Sequence, residues 1–324
     1  MQKNQTQLKH CWTLTSGEAG MTNQAIGLAQ ALGCEHQHKT VVLKKPWRKL
    51  PGHWVPSAIG KLEPVSDALA PPWPDLVISC GRRSTAVAID IARQSNGATK
   101  LVHIQNPLIP TRYFDLIFAP EHDRLQGENV FQTVGGLTHI TPAFLSAARA
   151  QPHPALKTSK HPIVGVLIGG SNKKARLTEK RAFEIGQQLA GLVDHYQAHL
   201  VITTSRRTGA ENTKALKAGL GDREYYLWDG SGVNPYASML ALSDYLLVTA
   251  DSVSMASEAA GSGKPVYVLS FDSNGRRLRR FHRMLEERGI TRAWQGTLEP
   301  PWSYTPLYET QRAAKLIKQK LFDT

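Results

Sequence analysis

Asp251, Ser252, Ser254 and Glu258 fall within eight residues of one another. Asp and Ser are residue types that cap the start of a helix, where backbone N–H groups lack partners and favour an anion. Further into the same helix, the Glu258 carboxylate can accept two hydroxyl hydrogen bonds. Together these residues suit an anionic ligand that also carries hydroxyls. The competing reading is a capped helix with a solvated Glu258.

Other stretches add chemistry of the same kind. Gly169-Gly170-Ser171-Asn172, preceding Lys173, Lys174 and Arg176, offers glycines and a small hydroxyl before a helix, the makings of a phosphate nest. No Gly-Lys-Ser/Thr occurs at Walker spacing there. Arg206 and Arg207 follow the next apolar run. Earlier in the chain, Gly17 and Gly20 make either a tight turn or a loop close to a substrate, with Glu18, Asn23 and Gln24 as polar contacts. Arg82 and Arg83 can grip a phosphate or carboxylate as a fork. Glu121-His122-Asp123 puts three ionisable groups in a row after a strand, and His is suited to proton transfer near neutral pH. A solvated turn is the alternative.

These residues need elements to position them. Leu246–Val248 and Pro265–Leu269 read as apolar strands around a helix, Ser254–Ala260, that ends at Gly261 and Gly263. Further strands are expected at His10–Thr15, Thr40–Leu43, Asp75–Cys80, Leu101–Ile104, Tyr113–Ala119, Val130–Val134, Ile163–Ile168, His199–Thr203 and Tyr225–Trp228. Helices alternate with most of them, the first being Asn23–Leu32. Continuous apolar strands alternating with helices predict an α/β fold with parallel sheets covered on both faces. In such sheets ligands bind at the carboxyl ends of the strands, where every candidate above falls. The Pro-rich, polar stretch 151–162 reads as a linker. It separates a domain at 1–150 from a second at 163–304, with a final amphipathic helix within 305–324.

The chain has 324 residues and a formal charge of +13, from 39 basic and 26 acidic residues. Such charge calls for an anionic partner: nucleotide phosphates, nucleic acid or an acidic membrane surface. Nucleic acid is disfavoured, because no known motif accompanies the charge. Lys44, Lys45, Arg48, Lys49 and Lys61 are interleaved with Trp47, Trp54 and Trp73. That mixture suits a membrane interface or an anionic acceptor, or else a solvated loop with its rings turned inward. A second basic run spans Arg276 to Arg283. Cys11, Cys34 and Cys80 form neither a metal pattern nor an even set, which fits a reducing compartment. No secretory signal and no transmembrane stretch are read, so a cytoplasmic protein is expected, with a peripheral inner-membrane contact as an extension of the charge argument.

Two resemblances follow. Ser-Glu in a small-residue helix, then Gly261-Ser262-Gly263-Lys264-Pro265 and an apolar strand, resembles the donor-nucleotide motif of GT-B glycosyltransferases. This implies that Glu258 holds ribose hydroxyls and that the turn Asp251–Ser254 faces a diphosphate. Gly169-Gly170-Ser171 resembles the first loop of the C-terminal GT-B domain, which faces the same diphosphate. Taken together, Ser16–Gly20 with Asn23 and Gln24, Pro120–Asp123, Gly169–Ser171, Thr204–Arg207 and Asp251–Met255 resemble the mitochondrial-fission Elm proteins and their bacterial relatives. That resemblance implies two Rossmann-like domains facing a cleft, with the last helix packing back on the first domain. It also implies a metal-independent transferase acting on a nucleotide-sugar. The expected donor is a UDP-sugar, a substrate rather than a cofactor; the expected acceptor is a glycan or lipid-linked sugar. On this reading Gly169, Gly170, Ser171, Asn172, Arg206, Arg207, Ser252, Ser254 and Glu258 bind the donor. Gly17, Gly20, Asn23, Gln24 and Arg82 face the acceptor, and the base is Glu18, His122 or Asp123. The plant members also imply an alternative, a non-catalytic scaffold that recruits a protein partner to a membrane.

Overall fold

The computed structural model describes residues 8–157, 162–172, 175–270 and 275–323. Lys173, Lys174 and positions 158–161 of the expected linker lie outside them. The chain divides into two compact units. The first runs to His139 and includes Tyr308–Thr324; the second is Ile140–Leu307.

The first unit holds a parallel sheet of β1 (His10–Thr15), β2 (Glu35–Thr40), β3 (Leu76–Cys80), β4 (Lys100–Ile104), β5 (Leu116–Pro120) and β6 (Val130–Thr133), ordered β2-β1-β3-β4-β5-β6. Alternate strand residues build two cores. Cys11, Leu76, Ile78, Val102, Ile104 and Phe118 cluster with Leu28 of α1 (Ala19–Leu32). Trp12, Leu14, Val77, Leu101 and Ile117 cluster with Val87 and Ile91 of α2 (Thr85–Gln94). Both faces of the sheet are therefore covered, and each fully buried aliphatic side chain contributes about 1.5–3 kcal/mol.

In place of the expected strand Thr40–Leu43, the structure has β2 five residues earlier, with the polar sequence EHQHKT. β2 is an edge strand paired only with β1, so it tolerates polar side chains that an inner strand would bury. Val41 and Leu43 turn into the core after it, and Leu43 bridges Leu62. Likewise α1 begins at Ala19, so Gly20 lies in its first turn rather than in a loop.

The second unit opens with α3 (Pro142–Ala150) and carries β7 (Ile163–Ile168), α4 (Glu179–Tyr196), β8 (His199–Thr204), α5 (Ala210–Leu220), β9 (Tyr225–Trp228), α6 (Tyr236–Leu242), β10 (Tyr245–Thr249), α7 (Val253–Gly261), β11 (Val266–Leu269), α8 (Arg276–Glu287) and β12 (Thr291–Ala293). Its sheet is parallel in the order β12-β11-β10-β7-β8-β9. Val164, Val166, Ile168, Leu200, Ile202 and Leu247 pack with Ile185, Leu189 and Leu192 of α4. Thr178 caps α4 by accepting from Arg181 N–H at 3.2 Å. The expected domain end at residue 150 moves, because α3 joins the second unit. Arg149 Nε donates to the Ala241 carbonyl at 3.3 Å, and His153 N–H donates to Ser238 Oγ at 2.9 Å.

The chain then returns to the first unit. In α9 (Glu309–Ile317), Ala313, Ala314 and Ile317 are buried in the core that holds Leu28. The Thr310 hydroxyl accepts from Thr138 N–H at 2.8 Å and donates to the Thr138 carbonyl at 2.6 Å. No helix among the described residues is long and apolar enough to cross a membrane.

Candidate functional site

In the second unit β7 and β10 are neighbours, so their carboxyl ends bring residues 169–172 beside residues 250–254. Asp251 stands at the centre. Its side chain has no exposed surface and accepts from Arg207 Nη2 at 2.7 Å. It also accepts from Gly170 N–H at 3.2 Å and from the Thr249 hydroxyl at 2.7 Å. Asn172 Nδ2 donates to the Asp251 carbonyl at 3.2 Å. This contact accounts for both glycines. A Cβ on Gly169 would stand 2.0 Å from Asp251 Oδ1, and one on Gly170 would stand 2.1 Å from the Arg207 backbone. The Gly170 N–H, expected to face a diphosphate, is thus already committed to Asp251.

Ser252 caps α7, its Oγ accepting from Met255 N–H at 3.3 Å. The helix keeps its first N–H groups at the same end of the sheet, beside Ser254. Ser171 Oγ is turned to its own loop, accepting from Leu177 N–H at 3.1 Å. Arg207 keeps 42% of its side chain exposed while tied to Asp251. Arg206 diverges from it and lines a cavity of about 520 Å³ with Ser205, Lys214 and Lys217.

Glu258 lies on α7, half-buried, and accepts a hydrogen bond from the Tyr236 hydroxyl of α6. Burial lifts its carboxyl from the ordinary 4.5 to about 6, opposed by the bond from Tyr236. Burial and the facing carboxylate push the Tyr236 phenol well above its ordinary value, so it stays a donor. On the other side of β10, a cavity of about 350 Å³ is lined by Ala250, Val268, Leu278, Arg279, His282 and Arg283. His282 Nε2 pairs with the Ala250 carbonyl at 2.9 Å, and burial keeps the ring below its ordinary pKa.

The remaining candidates belong to the first unit. Glu18 is exposed at the start of α1. Its Oε2 accepts from the Ser16 hydroxyl at 2.6 Å and its Oε1 from Arg83 Nη1 at 3.1 Å. Gly17 N–H donates to Thr15 Oγ1 at 3.2 Å, and Asn23 and Arg82 are exposed. Gln24 is buried, with Nε2 donating to the Gly20 carbonyl at 3.0 Å, which makes it part of the helix rather than an acceptor contact. His122 and Asp123 form a 3.5 Å pair with 0% and 3% of their side chains exposed. Of the three base candidates, Glu18 alone meets solvent freely. The sequence did not single out His38 on β2. Its Nδ1 lies 2.9 Å from Thr13 Oγ1 and its Nε2 lies 3.4 Å from Thr15 Oγ1, the hydroxyl that accepts from Gly17. The alternation of His36 and His38 in a polar strand was the available signal. Tyr236 had none, since 22 residues separate it from Glu258.

A model of the family described as mitochondrial fission ELM1 matches residues 19–321. The chain belongs to the mitochondrial fission ELM1 family. Mitochondrial fission protein ELM1 of Arabidopsis thaliana is 32% identical over 274 residues, 76% of this chain and 64% of that protein. The chain thus spans less than two thirds of the plant protein's length. Uncharacterized protein RP120 of Rickettsia prowazekii is 30% identical over 354 residues, 95% of this chain and 97% of that one. Among solved structures, UDP-GlcNAc 2-epimerase from Neisseria meningitidis bound to UDP-GlcNAc superposes with a TM-score of 0.53 at 15% identity, covering 97% and 99% of the two chains. At that identity the likeness speaks for the fold: this member of the ELM1 family is GT-B-like.

Proposed function

We propose that the second unit binds a nucleotide-sugar, taken as a UDP-sugar, and that the protein transfers the sugar to a glycan or lipid-linked acceptor. The observation that carries this reading is the pairing of the Ser252-capped start of α7 with the half-buried Glu258 on the same helix. The helix start favours a diphosphate, and the carboxylate takes ribose hydroxyls. Arg207, steadied by Asp251, adds charge to the leaving diphosphate. The 350 Å³ cavity beside β10 has room for a hexose. In the reaction the acceptor oxygen bonds to the anomeric carbon. The bond from that carbon to the diphosphate oxygen breaks, and the diphosphate leaves with the electron pair. A base takes the acceptor proton, and Glu18 is the carboxylate we assign to it. The charge on the diphosphate is met by Arg207 and the helix start, so the reading calls for no metal.

A second reading has one specific observation behind it. Asp251 already takes the Gly170 N–H and the Arg207 guanidinium, filling with its own carboxylate part of the surface a diphosphate would use. Together with a relative named as a fission protein, this favours a scaffold that retains the fold and recruits a protein partner.

Calorimetric titration with UDP, GDP, ADP and CMP separates the two. The transferase reading expects selective binding of UDP. Glu258→Ala is expected to weaken it roughly 10- to 100-fold, the loss of hydrogen bonds to a charged group. No binding of any nucleotide transfers the weight to the scaffold.

A further inference from the structure

We infer that the surface between β2 and β3 in the first unit is a docking face for an anionic lipid bilayer. This goes beyond nucleotide-sugar binding and does not depend on it. The sequence leaves two readings of this stretch, a membrane interface or anionic acceptor and a solvated loop with its rings turned inward, and two of the three tryptophans do turn inward. Trp47 packs against the core that contains Val77 and Ile89, with Lys61 over its ring at 4.5 Å. Trp73 packs edge-on against Trp12, with ring centres 5.8 Å apart. Trp54 does the opposite, with 64% of its surface exposed, and Leu50, four residues earlier, is 38% exposed.

The outward ring is held there by the residues around it. The backbone on either side is fixed from beneath. Gly52 sits so close to α2 that a Cβ would stand 2.2 Å from Thr85 Oγ1. Val55 and Ala58 are buried, and Ile59 N–H donates to Asp90 Oδ2 at 2.9 Å. Two short 3-10 turns, Trp47–Lys49 and Gly52–Trp54, carry the exposed residues on this base. The Trp54 ring stands edge-on to His53 at 5.6 Å, and His53 in turn packs on Tyr113 at 5.4 Å.

Charge identifies the occupant. Lys44, Lys45, Arg48 and Lys49 are all exposed around Leu50, and none has an ion-pair partner among the described residues. Arg112 adds a fifth cation over Tyr113 at 5.3 Å. An exposed Trp ring with an apolar neighbour, ringed by unpaired long cations, matches the headgroup layer of an acidic membrane. The ring enters the interface, the aliphatic stems follow, and the charged ends remain at phosphate level. A protein partner with an apolar pocket would be expected to find these cations already tied to acidic neighbours, and the segment's own Glu63 and Asp67 form no ion pair with Lys44, Lys45, Arg48 or Lys49 among the described residues.

The test is co-sedimentation of the full chain with vesicles of phosphatidylcholine alone and of phosphatidylcholine mixed with phosphatidylglycerol. Binding is expected only to the mixed vesicles, weakening as salt rises. Trp54→Ala is expected to lower the partition roughly tenfold. Lys45→Gln and Lys49→Gln are expected to lower it about five-fold each. All three positions are exposed, so thermal melting should match the parent chain and separate lost docking from lost folding. The proposal fails if the parent chain ignores mixed vesicles, or binds both kinds equally. It fails equally if Trp54→Ala binds as the parent does, or if this substitution instead abolishes self-association seen in ultracentrifugation.

Discussion

Glu258 is a carboxylate whose surroundings resist its charge. Its pKa in the fold, about 6, lies above the ordinary 4.5. The contribution of this group to stability is therefore complete below about pH 4.5 and is lost as pH rises through 6. At pH 7 the ionised form costs about 2 kcal/mol. Glu258→Gln removes the charge while keeping an acceptor for Tyr236. The variant is expected to resist urea better than the parent at pH 7 by that amount, with the advantage shrinking to nothing near pH 4.5, while nucleotide binding falls. A difference that stays flat across this range would remove the carboxylate from the account. Asp251 is a buried carboxylate that accepts from three donors, Gly170 N–H, Arg207 Nη2 and the Thr249 hydroxyl. Asp251→Ala strands the Gly170 N–H and a guanidinium, and about 3 kcal/mol of stability should go with them in urea denaturation. A loss under 1 kcal/mol would mean that water replaces the carboxylate at little cost.

Among the elements, α7 and α4 allow structure to be separated from binding. Both are capped by a hydroxyl, Ser252 and Thr178. Replacing either with Ala should cost about 1 kcal/mol of stability. Only Ser252→Ala should also lower nucleotide affinity in calorimetry, because on the proposed reading it is the start of α7 that meets the phosphate; equal affinities would place the phosphate elsewhere. The elements also mark where reading the sequence succeeded. β7, β10 and α7 were legible because inner strands of a parallel sheet are continuous apolar runs, and because Ser252 is a residue type that caps. β2 was not, because an edge strand written EHQHKT carries no apolar signal. β12, three residues long, was too short to show one. Within the site, the residue types at 169–172, 206–207 and 251–258 were readable. The bond from Arg207 to Asp251 was not, since 44 residues separate them and it takes both the β10–β7 and the β7–β8 pairings to bring their loops to one end of the sheet.

For the whole molecule the decisive feature is the route of the chain. The second unit is an insertion within the first: the chain leaves at His139 and returns at Tyr308. The two ends of the insertion lie side by side, since a Cβ on Gly261 would stand 3.4 Å from both Ile140 Cβ and the Leu307 carbonyl oxygen. Residues 140–307 expressed alone should therefore fold cooperatively, and on the proposed reading should bind nucleotide as the full chain does; a fragment that melts without a transition would refute this. The first unit has no such independence, because Ala313 and Ile317 complete the core over α1. On the ribosome the order of completion is thus inverted. The part begun first must wait, with one apolar face bare, until Ala313 and Ile317 emerge, while the part begun second can already be finished. A stop codon placed directly after Leu307 would spare the later-made half and unmake the earlier one.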